Sequence, residues 1–333
     1  MKPLQFGLIG LGYFGKNYAR LLQTIPGVQL AAIANTSRQV LTANNLIPDS
    51  ILKTTDPAVI FSNPAIDCVV IATPPSTHFS LIKQALVAGK HILVEKPLVL
   101  SLADAKKLVA LKKAKDQVLM VGFQYMYNDY LRFIKTYLQK QKLGKIRYVF
   151  AENLYCGPIR QDVGSLVDAG SHEISMLEFL FAPGKIISVA GMRHVPGKDN
   201  NDDFAAVSVQ FKSGLLAQIT TSWFAPEKVR KMTIVGEKGM IVFNDRLEND
   251  KIQIFSRTYP IQKKGQEKSS LFVQDAQALA FVPVVKAGEP LYNEVKHFIA
   301  CVRSGIQPVT DLKFGYTVTE KMQTIFSKVK VST

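Results

Sequence analysis

Phe6-Gly7-Leu8-Ile9-Gly10-Leu11-Gly12-Tyr13-Phe14-Gly15 is the stretch to which the rest of the 333-residue chain refers. The apolar run Leu4 to Ile9 reads as a buried strand, and glycines follow at the first, third and sixth places of a G-x-G-x-x-G pattern. The three glycines act differently. Gly10 permits a tight turn, Gly12 lets a pyrophosphate approach bare backbone, and Gly15 lets the next helix sit close to the strand. A helical pattern from Tyr13 to Leu22 then opens with free N–H groups and the positive end of its dipole, which suits an anion. A glycine-rich turn alone means little. Here a strand precedes it and a helix follows, the context that a dinucleotide-binding turn demands.

Outward from this unit, strand and helix signals alternate. Val28 to Ala34 is a second apolar strand and Ser37 to Leu46 a helical stretch. Asp56-Pro57 starts a short helix through Phe61, with proline at the first helical position. Ile66 to Ala72 is a buried strand, Thr77 to Ala88 a helix ended by Gly89, and His91 to Glu95 the next strand. Ser101-x-x-Asp104 is a capping box for a helix through Lys115, and Val118 to Gly122 is one more strand. This rhythm predicts a parallel sheet with helices on both faces.

Beyond residue 123 the pattern changes. An amphipathic helix (Tyr127 to Gln141), a strand (Ile146 to Leu154) and a helix (Ser171 to Phe181) lead into six strands: Ile186–His194, Phe204–Phe211, Leu215–Trp223, Met232–Val235, Gly239–Phe243 and Ile252–Phe255. Turn signals such as Lys212-Ser213-Gly214 predict a mostly antiparallel sheet. Residues 260–286 are polar and irregular, and two helices, Leu291–Ser304 and Leu312–Val329, close the chain. The expected division is a dinucleotide-binding domain over 1–123 and a second domain over 124–333, with the last helix able to return to the first.

Bulk properties narrow the class. Hydrophobic residues make up 47% and charged ones 20%, enough to bury a real core. No apolar run is long enough to cross a bilayer, so no membrane partner is expected. The first strand begins near Met1, which leaves no room for a secretory signal, and a cytoplasmic protein is expected. Cys68, Cys156 and Cys301 are odd in number and irregular in spacing, so neither a disulfide framework nor a metal site is expected. The net charge of +15 divides into +7 over residues 1–123 and +8 over 124–333. A nucleic-acid binder concentrates such an excess on one element; this one is spread, which excludes that class and leaves an attraction for anionic small molecules.

Four groups of residues point to chemistry. About 20 residues past the glycines, Asn35-Thr36-Ser37-Arg38 stands where a carboxylate would accept from a ribose 2′-OH and repel a 2′-phosphate. Asn35 does not repel, and Ser37 and Arg38 suit a phosphate, so NADP is favoured over NAD. Helix capping by Ser37 and a solvated Arg38 fit the same residues. Thr73-Pro74-Pro75-Ser76-Thr77-His78 leaves the carboxyl end of a sheet strand, where ligands sit in such folds, with His78 in a supporting place. Glu95-Lys96-Pro97 follows the next strand; an ammonium on a stiffened turn there stabilises charge on a substrate oxygen. Asp168-Ala169-Gly170-Ser171-His172 offers a carboxylate and an imidazole one helical turn apart, and the imidazole suits taking a hydroxyl proton. A capping Asp168 with a solvent-facing His172 fits that spacing equally well.

Taken together, Gly10-x-Gly12-x-x-Gly15, Ala72-Thr73-Pro74-Pro75 with His78, Glu95-Lys96-Pro97 and Asp168-x-x-x-His172 make the chain resemble, nearly end to end, the glucose–fructose oxidoreductase / inositol dehydrogenase / rhizopine-catabolism (Gfo/Idh/MocA) family. The resemblance implies an N-terminal Rossmann domain, a doubly wound parallel sheet, followed by an α/β domain with an open, mostly antiparallel sheet that commonly forms homodimers or homotetramers. It implies NAD(P)-linked oxidation or reduction at a carbon of a sugar or cyclitol. Lys96 and His172 are then the catalytic pair, assisted by Asp168. Cofactor contacts are implied for Gly10, Gly12, Tyr13, Phe14, Gly15, Asn35, Thr36, Ser37, Arg38, Ala72, Thr73, Pro74, His78, Glu95, Lys96 and Gln124. Substrate contacts are implied for Lys96, Tyr127, Asn153, Arg160, Asp168 and His172. Segments such as Gly157 to Asp162, Gly122 to Asn128 and Ser222-Trp223-x-x-Pro226-x-Lys228-x-Arg230 look like a branch acting at C3 of nucleotide-linked hexoses, with Arg160 and Lys228 as anchors for a substrate phosphate. The chain departs from that branch at Asn35 and Glu173, where acidic residues and Asp are frequent. The rivals are a free-sugar or cyclitol dehydrogenase, and a sensor or scaffold that binds NAD(P) without turnover.

Overall fold

In the computed structural model, which describes residues 2–42, 47–112, 117–157, 159–197, 200–256 and 280–332, the run Leu4–Ile9 forms strand β1. It is followed by α1 (Tyr13–Thr24), β2 (Val28–Ala34), α2 (Arg38–Thr42), β3 (Leu52–Thr54), α3 (Ala58–Ser62), β4 (Cys68–Ile71), α4 (Pro75–Val87), β5 (His91–Glu95), α5 (Leu102–Leu111) and β6 (Leu119–Gly122). The six strands lie in the order β3-β2-β1-β4-β5-β6, with every neighbouring pair parallel. Strand order therefore reverses between β1 and β4, which opens a crevice at their carboxyl ends. The central strands are apolar on both faces because helices cover both: Val69, Val70, Leu93 and Val94 are fully buried.

Local chemistry sets the helix ends. Ser101 Oγ accepts the Asp104 N–H at 3.0 Å, as the capping box predicts, and the helix stops at Leu111; residues 113–115 of the expected helix lie outside the described residues, as do residues 43–46 of the one expected over Ser37 to Leu46. The helix expected from Thr77 begins earlier, at Pro75, because proline suits the first helical turn. Short β3 carries too little apolar pattern to have been expected.

Compactness divides the chain at Asn128/Asp129 and returns Gly288–Gln323 to the first unit. The returning segment carries α9 (Pro290–Ser304) and most of α10 (Leu312–Lys328). It is pinned to β6: the Thr310 hydroxyl donates to the Val121 carbonyl at 2.7 Å, and the Val121 N–H donates to the Thr310 carbonyl at 2.8 Å. Phe298 packs edge-on against Phe6, and Phe314 against Phe123.

The second unit, Asp129–Ala287 with Thr324–Thr333, holds α6 (Asp129–Gln139), β7 (Ile146–Cys156), α7 (Ser165–Asp168), α8 (Gly170–Phe181), β8 (Ile186–His194), β9 (Phe204–Phe211), β10 (Leu216–Ser222), β11 (Phe224–Gly236), β12 (Gly239–Asn244), β13 (Ile252–Ser256), β14 (Ala280–Phe281) and β15 (Lys330–Ser332). The nine strands run β14-β13-β12-β11-β7-β10-β9-β8-β15, antiparallel except for the β7–β10 and β8–β15 pairs. The helix expected from Tyr127 starts at Asp129, because Gln124–Tyr127 is a separate 3₁₀ turn. β11 is longer than expected: Glu227, Lys228 and Arg230 mask it, and the pairing with β7 slips between Phe224 and Val229, leaving room for Pro226. Of the irregular stretch 260–286, residues 260–279 lie outside the described residues.

Residues alternate across this sheet. On β7, Val149, Ala151 and Asn153 are buried on the side of α8, while Phe150 is 47% exposed on the other. That other face is a shallow apolar groove of about 350 Å³ lined by Tyr148, Phe150, Ala190, Leu216 and Gln218 among others.

Candidate active site

In the first unit the glycine turn is built by contact. Gly10 has φ +95°, and a Cβ there would lie 2.4 Å from the Ala72 carbonyl oxygen. A Cβ on Gly15 would lie 2.1 Å from the Gly10 carbonyl oxygen, whereas one on Gly12 meets nothing within 4 Å. Gly12 is also the first residue before α1, and no side chain caps that helix start. Gly12 also lines a cleft of about 430 Å³ with Gly10, Asn35, Thr36, Ala72, Thr73 and Pro74, and with Thr55, Pro57, Thr77 and Leu81 among the others. A bare glycine, an uncapped helix start and an open cleft at the strand-order reversal fit the pyrophosphate of a dinucleotide. Tyr13 is 80% exposed and Phe14 stacks edge-on against it.

At the ribose end, the Asn35 side-chain oxygen accepts the Leu11 N–H at 3.0 Å, and its amide donates to the Ser37 carbonyl at 3.2 Å. Asn35 thus ties the end of β2 to the glycine turn. Ser37 Oγ accepts from the Val40 N–H, so it caps α2, and Arg38 is exposed at the start of that helix.

The two loops after β4 and β5 are joined by His78. It is fully buried, with Nδ1 2.8 Å from the Pro97 carbonyl and Nε2 3.0 Å from the Thr73 carbonyl. It bridges the loop after β4 and the loop that carries Lys96. Lys96 is part-buried at the carboxyl end of β5, and its N–H donates to Glu95 Oε2 at 3.2 Å. Gln124 opens the 3₁₀ turn after β6, part-buried. Tyr127, expected at the substrate, is fully buried in the core of this unit, its hydroxyl 3.0 Å from that of Thr310 and its ring beside His297. Its phenol is a polar group that packing had to satisfy, and the returning C-terminal segment satisfies it.

In the second unit Asp168 ends α7, and His172 lies in the first turn of α8 with its N–H donating to the Ala169 carbonyl at 3.0 Å. The Tyr155 hydroxyl donates to Asp168 Oδ2 at 2.8 Å and accepts from Trp223 Nε1 at 2.8 Å. Arg160 donates to Asp168 Oδ1 at 3.1 Å and holds Asp162 through two bonds of 2.9 and 2.7 Å. Burial, with the Asp168 charge beside it, holds the Tyr155 phenol well above its usual range, so it keeps the proton it donates. Arg160 in turn keeps the Asp162 carboxyl below the usual carboxylate range. Three of the five N–H groups of Arg160, the expected phosphate anchor, thus bond two carboxylates, one of them Asp168. Lys228 lies beside Arg230, whose charge lowers its pKa.

Two further residues set this half. Asp202 Oδ2 accepts the Leu166 N–H and the Ser165 hydroxyl, both at 2.7 Å, and so fixes the turn that carries Asp168. Asn153, expected at the substrate, is 2% exposed, and its amide donates to Glu173 Oε1 at 3.2 Å. Tyr155 was legible two places along the strand from Asn153, on the same face; Asp202 gave no signal, because its partners lie 36 and 37 residues away.

Two family models match the chain. The first, an oxidoreductase family with an NAD-binding Rossmann fold (GFO/IDH/MocA), covers residues 4–123, and the GFO/IDH/MocA C-terminal domain covers residues 131–242. The chain belongs to the Gfo/Idh/MocA oxidoreductase family. Within the family it is 28% identical to the scyllo-inositol 2-dehydrogenase (NAD(+)) of Bacillus subtilis, over 92% of this chain and 88% of that one. It is 27% identical to the UDP-N-acetylglucosamine 3-dehydrogenase of Acidithiobacillus ferrooxidans, over 70% of this chain and 72% of that one. A 3-ketoreductase from Actinomadura kijaniata, solved with TDP-benzene and NADP, shares the fold at a TM-score of 0.80 and 18% identity, over 99% of each chain.

Gly15 and Gly12 separate packing from binding. Gly15→Ala is expected to destabilise by about 1–3 kcal/mol, since a backbone carbonyl must move. Gly12→Ala is expected to melt within about 2 °C of the parent yet lose dinucleotide affinity, because its methyl enters open cleft. Thermal melts and a fluorescence titration read both; a Gly12→Ala variant that binds NAD(P)H as the parent does contradicts the placement.

Glu173 sets a pH dependence. Burial pushes its carboxyl up to about 8, against smaller lowering by the Asn153 bond and the Arg230 charge. A carboxyl with a higher pKa folded than unfolded binds more protons when folded, so its contribution is full below about 4.5 and is lost as pH rises towards 8. Glu173→Gln cannot ionise. Its melting temperature is expected to gain on the parent's by roughly 3 °C or more between about pH 5 and about pH 8.5; parallel curves rule out the buried charge.

Proposed function

We propose that this chain transfers hydride between NAD(P) and a carbon of a sugar, at C3 of a nucleotide-linked hexose in the first reading. The observation that carries it is the wiring of Lys96: His78 locks its loop to the cleft-lining loop, and Glu95 holds its peptide. In the oxidative direction the Lys96 ammonium donates to the substrate oxygen and stabilises charge developing there. The His172 imidazole takes the hydroxyl proton, and in reduction it returns it. Asp168, held by Tyr155 and Arg160 four residues before His172, assists it. Bound NAD(P) accepts or donates the hydride. Between the two cofactor forms, the absence of a carboxylate at Asn35 and the exposed Arg38 support NADP.

One observation favours a second substrate reading. Three of the five Arg160 N–H groups are committed to Asp162 and Asp168, which leaves less of this cation for a substrate phosphate and supports a free sugar or cyclitol. Turnover across nucleotide sugars, free sugars and cyclitols separates the two; tight NADPH binding without turnover on the whole panel would instead support a sensor. Lys96→Met is expected to lower kcat by about 100-fold or more while NADPH affinity stays within about threefold, NADPH binding more tightly than NADH. Equal turnover in the two proteins removes Lys96 from the mechanism.

The open apolar face of the nine-stranded sheet, with Phe150 and Leu216 at its centre, supports assembly through a second copy of this chain, as a dimer or tetramer. Light scattering on the parent is expected to give one of these masses, and Phe150→Asp to reduce it; a monomeric parent defeats this reading.

A further inference from the structure

Behind Lys96, three elements of the first unit bring buried acids together. The Tyr18 hydroxyl on α1 lies 2.9 Å from Glu95 Oε1 on β5 and 2.9 Å from Glu294 Oε1 on α9. Tyr18 and Glu294 are fully buried, and Glu95 is 8% exposed. On the fourth side β6 presents only backbone: a Cβ on Gly122 would lie 3.2 Å from the Tyr18 hydroxyl and 3.3 Å from Glu294 Oε1. Among the described residues, the titratable groups facing Glu294 are thus Tyr18 and Glu95.

A phenol has one proton and can donate to one carboxylate. The second 2.9 Å contact is a hydrogen bond only if that carboxyl brings a proton of its own. The two acids differ in what they face. Glu95 Oε2 accepts the Lys96 N–H, as a carboxylate should. Glu294 Oε2 is buried with no hydrogen-bond partner among the described residues, a position too costly for a charged oxygen. We propose that Glu294 is a protonated positioning residue, its carboxyl donating to Tyr18, Tyr18 donating to the Glu95 carboxylate, and Glu95 holding the Lys96 peptide. The functional half of this proposal rests on the reading that Lys96 acts on the substrate. Burial first, and then the Glu95 charge, raise the Glu294 carboxyl well above the usual range, in the same direction as the geometry. Loss of that proton at alkaline pH leaves two carboxylates on one phenol proton, and their repulsion displaces Glu95 and with it the Lys96 N–H.

Infrared difference spectra between the full-length parent and Glu294→Gln at neutral pH, in water and in heavy water, test the proton directly. A protonated-carboxyl C=O band that shifts in heavy water and is missing from the variant is expected; a carboxylate pair of bands in its place overturns the proposal. Two kinetic measurements test the positioning. The alkaline limb of kcat is expected to move to higher pH in Glu294→Gln, because the amide cannot ionise, and an unmoved limb counts against Glu294. Tyr18→Phe, which keeps the ring and removes the link, is expected to lower kcat by about tenfold with NADPH affinity within about twofold; unchanged kcat overturns the positioning role. If no substrate is turned over by the parent, the oxidoreductase reading fails, while the infrared result still decides whether Glu294 carries its proton.

Discussion

Three backbone segments meet at one point near the end of β1. The carbonyl of Ala72 presses against Gly10, and the carbonyl of Gly10 presses against Gly15, at separations that leave no room for a Cβ on either glycine. This contact holds α1 close to the sheet where β4 pairs with β1, at the edge of the cleft that Gly10, Gly12 and Ala72 line. Gly12, set apart from the crowding, is open on the cleft side. The same turn is therefore packed solid towards the protein and bare towards a ligand. That asymmetry is what a backbone cradle for a pyrophosphate requires.

From there the site is a matter of buried polar groups that need partners. A buried donor or acceptor left unpaired costs about 1–3 kcal/mol, so each such group recruits the segment able to satisfy it. His78 recruits the carbonyls of Thr73 and Pro97 and joins two loops. Tyr127 recruits Thr310, and Tyr18 recruits Glu294, both from the segment that returns to the first unit from the far end of the chain. In the second unit, Tyr155 satisfies Trp223 and Asp168 at once, and Asp202 satisfies the amide and hydroxyl of the turn leading to Asp168. Functional side chains are thus held by second contacts whose members lie far apart along the chain.

Local rules carried much of the fold. Gly10, Gly12 and Gly15, the apolar strands Cys68–Ile71 and His91–Glu95, and the Ser101 cap are each fixed by neighbours a few residues away, so periodicity and capping chemistry reveal them. The failures have the same logic in reverse. β3 and β14 are too short to show a period, and the polar half of β11 is a strand because β7 and β12 flank it, not because its own residues favour one. Arg160 reads in the sequence as a cation for a phosphate, and in the structure three of its five N–H groups bond Asp162 and Asp168. A charge in a sequence carries no record of its partner.

By itself the sequence determined the parallel α/β character of the first domain, the glycine turn with its dinucleotide chemistry, and the family to which the chain belongs. These rest on short spacings, where chain geometry leaves few alternatives. Only the tertiary structure decided that His78 bridges Thr73 and Pro97, that Tyr127 meets Thr310, that Arg160 pairs with Asp162 and Asp168, and that Tyr18 lies between Glu294 and Glu95. Those facts depend on which distant segment covers a buried polar atom, and desolvation makes that choice only when the chain has closed on itself.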